Sequence, residues 1–188
     1  MKHYTPLFFL FLISQFSFAQ IDTAQLIKSA QSYTDAYINQ DFDAMADMNH
    51  PNMLSFGTTK ELLSKDLKTD KETLEGFGFE FKEGEVTVPT VFHESAGEVL
   101  CFVPQVFLID ISGEEYQFTK FILASSNTSG SNWSFVSLDR FDEASLGDFI
   151  PSYTSELSWP EEVSMIPTRA IIKNPLPEGA IEVKSKGN

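Results

Sequence analysis

Arginine is nearly absent from this sequence, with Arg140 and Arg169 its only examples, and 13 Lys+Arg stand against 27 Asp+Glu for a net charge of −14. That balance excludes a nucleic-acid binder, whose affinity comes from neutralising phosphates. It excludes docking on anionic lipid for the same reason. Cysteine is limited to Cys101, so no internal disulfide can form. No apolar run approaches the ~20 residues that a membrane-spanning helix needs. HExxH, CxxC, GxSxG and P-loop patterns are all missing, and no cofactor is expected.

The first residues read as a leader. Lys2 and His3 precede the apolar run 7–13, and the small-x-small ending Ser17-Phe18-Ala19 offers a cleavage site before Gln20. We therefore expect residues 1–19 to be a signal peptide, with export to the periplasm or the cell exterior and no membrane attachment afterwards. The remaining chain is long enough to bury about 70% of its unfolded surface without staples.

Residues 22–40 carry a helical period at Ala24, Ile27, Ala30, Tyr33 or Thr34, and Tyr37, and Asp22 and Gln25 have capping-box spacing. Asp41 is placed to cap a second, shorter helix over Phe42–Met48, ended by Asn49-His50-Pro51. Gly57-Thr58-Thr59 opens a third helix from Lys60 to about Glu75, with Leu62, Leu63, Leu67 and Leu74 as its apolar positions and Gly76 as its stop.

Then the period changes to two. Extended runs are expected over 77–93, 97–111, 115–125 and 132–139, separated by Gly- and Ser-rich turns. Short connections make them antiparallel neighbours. The second run is apolar on both parities and should lie inside the sheet. Pro104 conflicts with that, and a bulge or a locally unpaired position would resolve it. A brief helix is expected over 143–149. Residues 151–188 hold five of the nine prolines and read as a partly packed tail, loose beyond about Glu178. Neither parity of the third and fourth runs is cleanly polar, so both sheet faces need cover. The tail, through Trp159 and Ile171-Ile172, is preferred to a second subunit, which favours a monomer over a homodimer.

Helices followed by an antiparallel meander define an α+β domain over residues 20–150. Several stretches resemble a group of exported bacterial proteins of the nuclear-transport-factor-two-like, or SnoaL-like, superfamily. They are Tyr37-Ile38-Asn39-Gln40-Asp41-Phe42, His50-Pro51, Leu100-Cys101-Phe102-Val103-Pro104-Gln105 and Asn132-Trp133-Ser134-Phe135-Val136. That group usually opens its third helix with Gly-Gly-Lys, where this chain has Gly57-Thr58-Thr59-Lys60. The resemblance implies helices packed on a curved sheet that forms a cone with a pocket. It brings no catalytic assignment with it.

Pocket-lining candidates are Tyr33, Tyr37, His50, His93, Cys101, Gln105 and Trp133. Asp47 and His50 are three apart and, with His93, could serve as an acid–base or metal set. Capping and packing roles for the two histidines are the simpler reading. Cys101 lies in apolar company and reads as a small buried hydrophobe. Gln105 is an amide in an apolar strand and must find a partner if buried, either a ligand or backbone freed near Pro104. The sequence thus favours a non-catalytic exported domain that binds a small apolar or amphipathic molecule or serves as an interaction module. The alternative is a lyase, isomerase or hydrolase using His50 with a neighbouring Asp or Tyr. A cone filled by its own phenylalanines is a third reading.

Overall fold

The computed structural model describes residues 21–54, 58–127, 130–160 and 164–169. The expected leader and the Ile171-Ile172 pair lie outside the described residues. Helix α1 spans Thr23–Ile38, α2 Phe42–Met48 and α3 Lys60–Gly76, with a single 3-10 turn over Pro51–Leu54 between α2 and α3. Their caps follow from the sequence. Asp22, Asp41 and Thr59 each accept a bond from the backbone N–H three residues on. The box at α1 is half made, because the Gln25 amide bonds Ser29 instead of returning to the cap.

Two helical details differ from expectation. The face that α1 buries runs through Leu26, Ala30, Tyr33, Thr34 and Tyr37. From Ala30 onward this is the expected face; in the first turn Leu26 enters the core where Ala24 and Ile27 were expected. In α3 the helix continues through Gly76 to a cap at Phe77, and the left-handed residue that turns the chain is Gly78, at φ 86°. Leu62, counted with the apolar positions, is half exposed, whereas Lys71 is buried.

The sheet is open and antiparallel, and with the helices it makes an α+β fold. Two 14-residue strands form its centre, β3 (Glu98–Ile111) and β4 (Glu114–Asn127), joined by a tight turn with Ser112 and Gly113 both at positive φ. Each is edged by two short strands. The first expected run divides into β1 (Phe79–Val86) and β2 (His93–Ser95), which pair with opposite halves of β3. On the other side, β5 (Trp133–Ser137) and β6 (Ser164–Pro167) pair with opposite halves of β4.

This arrangement accommodates Pro104 without a bulge. Its ladder with β4 is unbroken, Pro104 lying opposite Phe121. The Pro104 carbonyl accepts from Thr87 N–H (3.0 Å), so its missing N–H faces the β1 side. There β1 has ended and β2 has not begun. Among the described residues the one irregularity in register is in β1, between Phe81 and Glu83.

The alternation sorts two cores. Val99, Cys101, Val103, Phe107 and Ile109 of β3 join Ile122 and Ala124 of β4 beneath α1–α3. Leu100, Phe102, Leu123 and Val136 face the other way, against helix α4 (Glu143–Phe149) and residues Ile150, Tyr153 and Leu157. Trp159 completes this second layer, its ring 5.7 Å from that of Phe102. Both faces are therefore apolar for a reason. The chain covers the second one itself, with α4 and the residues up to Trp159.

Helix α1 approaches β1 closely at Gly84. A Cβ there would meet Thr34 Cγ2 at 2.7 Å and the Phe107 ring at 3.0 Å. The Gln31 amide bonds both Gly84 O (2.8 Å) and Val86 N–H (3.1 Å), acting as a short surrogate strand on the β1 edge.

Candidate functional site

A cavity of about 390 Å³ lies between the helices and the sheet. Its size falls within the range of small-molecule sites. Tyr33 and Tyr37 reach it from α1, Met45 from α2, Leu67 and Leu74 from α3, and Phe81 and Phe118 from the sheet. The Tyr37, Phe81 and Phe107 rings meet edge to face at 5.2–5.7 Å, a packing that fixes their orientation.

The polar lining comes from α3 (Asp70 and Thr73), from Ser137 and Asp139, and from the two central strands. Gln105 and Lys120 lie opposite each other in the β3–β4 register, and both line the cavity. Gln105 is 1% exposed. Its Nε2 donates to Thr34 Oγ1 (2.8 Å), while the Thr34 hydroxyl donates its own hydrogen to Ala30 O (2.9 Å). The order of donors fixes the amide: nitrogen toward Thr34, oxygen away from it. Among the described residues nothing donates to Gln105 Oε1.

Lys120 is committed elsewhere. Its ammonium donates to Asp139 Oδ2 (3.0 Å), which also accepts from Ser137 Oγ (2.9 Å). The same ammonium stands 4.7 Å from the Tyr37 ring centroid and 5.5 Å from that of Phe107. A second buried lysine, Lys71, donates to the carbonyls of Tyr37 (2.8 Å) and Ile38 (3.0 Å) at the end of α1, and lies 4.9 Å from the Tyr37 ring. Burial lowers the Lys71 pKa, against the opposing pull of Glu75. Burial, reinforced by Asp139 and Glu75, raises that of Tyr37, so its hydroxyl stays protonated and cannot serve as a base near neutral pH. The enclosure offers apolar contact, ring faces and several polar groups, among which the Gln105 amide oxygen accepts no bond from the described residues. It holds no histidine.

Of the seven candidates, Tyr33, Tyr37 and Gln105 line the cavity; His50, His93, Cys101 and Trp133 do not. Asp47 is not the partner of His50, because it pairs with Lys60. His50 is buried where α2 ends. Its Nδ1 accepts from Asn52 N–H (3.2 Å), leaving Nε2 to carry the hydrogen toward Glu98 Oε1 at 3.5 Å. Glu98 in turn accepts from Ser152 Oγ. Because the serine bonds the carboxylate and not the imidazole, this chain of groups lacks the order of a nucleophilic triad. It ties α2, β3 and the 150–159 segment together. Burial lowers the His50 pKa, with Glu98 opposing. His93 meets Thr154 Oγ1 (3.0 Å) and Glu156 (3.7 Å), away from His50's partners. Among the described residues no three His, Cys, Asp or Glu side chains are grouped to hold a metal ion. Cys101 is fully buried, its thiol pushed up to about 12. Trp133 packs in the helix-side core.

Lys71, Lys120 and Asp139 were not among the candidates. A usable signal existed for one of them: Lys120 interrupts the apolar parity Tyr116, Phe118, Ile122, as Gln105 interrupts Val103 and Phe107. Their pairing depends on a register that the sequence does not print. No protein-family model, curated protein or solved structure matches this chain.

Proposed function

We propose that this chain is an exported, non-catalytic domain of SnoaL-like type, which holds a small amphipathic molecule in the cavity between its helices and its sheet. The helix-first order and the Val103-Pro104-Gln105 stretch, whose glutamine lines that cavity, support the family reading. The leader-like residues 1–19 support export to the periplasm or cell exterior. Cover of the second sheet face by α4 and residues up to Trp159 supports a monomer.

One observation carries the proposal. A fully buried amide on the cavity wall keeps an unbonded acceptor oxygen, among aromatic and aliphatic side chains and a few polar and charged ones. Buried polar atoms are nearly always bonded, and an apolar cavity with a few fixed polar groups is what small-molecule sites have in common. The position of His50 weighs against acid–base chemistry, since it is spent on Asn52 and Glu98 outside the cavity.

Thermal unfolding with and without a panel of uncharged amphipathic molecules tests the reading, using the full chain and a cavity-filled Leu67→Trp variant. A ligand at 100 times its Kd stabilises the native state by about 2.7 kcal/mol. The wild type should gain Tm with at least one compound and the variant should gain none. Equal gains in both would place binding elsewhere.

A further inference from the structure

Resting on that cavity reading, we infer that Gln105 Oε1 is the anchor for the ligand's polar group, and that the ligand is an uncharged molecule with a hydroxyl or amide N–H donor on an apolar body. The reasoning is one of hydrogen-bond inventory. Gln105 Nε2 is used by Thr34, and the free end of the amide is an oxygen, which can only accept. The group that meets it must bring a hydrogen. A carboxylate, phosphate or ether oxygen placed there would face the amide oxygen lone pair to lone pair.

The neighbouring cation does not reverse this preference. Lys120 stands across the ladder from Gln105, but its ammonium is neutralised by Asp139 at 3.0 Å and lies over two aromatic rings. An anion there would have to share the ammonium with the Asp139 carboxylate, which already balances its charge. A cationic group would be drawn to the Asp70 and Asp139 carboxylates on the wall, the latter already accepting from Lys120 and Ser137, whereas the Gln105 oxygen asks only for a donor hydrogen. A neutral donor loses no existing bond and fills the acceptor that Gln105 leaves open. Tyr37, Phe81 and Phe118 then take the apolar body.

The test uses three linear eight-carbon probes: octan-1-ol, its isomeric ether 1-methoxyheptane, and octanoate. Each is titrated into the full-length chain, with binding followed by NMR shifts of the Leu67 and Met45 methyl groups. The alcohol should bind about tenfold more tightly than the ether, the discrimination expected when a buried acceptor is left unpaired. It should also outbind octanoate. In Gln105→Met the alcohol should lose that advantage while ether binding is retained, which separates a lost bond from a lost fold. If alcohol and ether bind the wild type equally, the anchor is overturned although the cavity reading survives. If no probe shifts either methyl, both fail.

Discussion

Gln105 and Lys120 face each other across the β3–β4 ladder, yet the amide oxygen of the first does not accept from the ammonium of the second. Asp139 holds the ammonium away, at 3.0 Å. Directly opposed side chains in a sheet have Cβ atoms about 5 Å apart, well within the reach of a lysine. The open acceptor therefore depends on Asp139. In Asp139→Ala the released ammonium should turn to Gln105 Oε1 and compete with a ligand donor. We expect octan-1-ol affinity to fall about tenfold, a loss of the size of one hydrogen bond to a charged group. Isothermal titration of the variant checks it, and unchanged affinity would show that Asp139 has no such role.

Gly84 should not tolerate a side chain. Its absent Cβ is what lets α1 sit against β1, with Thr34 at 2.7 Å and Phe107 at 3.0 Å from the position it would occupy. Gly84→Ala should cost about 1–3 kcal/mol by overpacking, read as a lower urea midpoint. Because Thr34 also orients Gln105, the variant should lose probe affinity as well.

Lys71 is a cation in a helical stripe with Leu63 and Leu67. Its ammonium satisfies two carbonyls at the C-terminal end of α1, where the helix leaves acceptors unpaired and favours positive charge. Lys71→Met keeps the stem and removes those bonds. Stability should drop by about 2 kcal/mol, measured by denaturant unfolding at neutral pH.

His50 makes stability depend on pH in a defined direction. Burial lowers its folded pKa below the unfolded value of 6.5, so between the two the unfolded chain binds the extra proton. Its contribution is fully present above about pH 6.5 and is lost as the pH falls through the folded pKa. In His50→Gln the difference in unfolding free energy between pH 7 and pH 5 should be smaller than in the wild type. An identical difference would remove His50 as its source.

Cys101 should behave as an inert thiol. Full burial pushes its pKa up to about 12, and reactivity requires thiolate. Labelling by a disulfide reagent should proceed only as fast as unfolding exposes it. A rapid native reaction at pH 8 would contradict the packing of β3.

The residues announced the fold through local rules. Asp22, Asp41 and Thr59 cap their helices as side-chain acceptors must, and Ala96-Gly97 and Ser112-Gly113 turn the strands. Pro104 was harder, since its accommodation depends on where two other strands stop. In α1 the buried face through Ala30, Tyr33, Thr34 and Tyr37 is legible, and only the first turn differs, with Leu26 buried in place of Ala24 and Ile27 because alanine suits either face. In the site, Tyr33, Tyr37 and Gln105 were legible as polar atoms on apolar faces. Lys71 was not, because a lysine on a helix is ordinarily solvent-exposed. Nor was the removal of His50 from the cavity, which depends on Glu98, 48 positions away in sequence but its contact in space.

The central claim is that the cavity holds a ligand in life. Native mass spectrometry of the protein recovered from its own host tests it most directly. The account predicts a monomer carrying one uncharged adduct that leaves on gas-phase activation and contains a hydroxyl or amide N–H. A bare chain in every charge state, with no adduct formed on adding octan-1-ol, would contradict it.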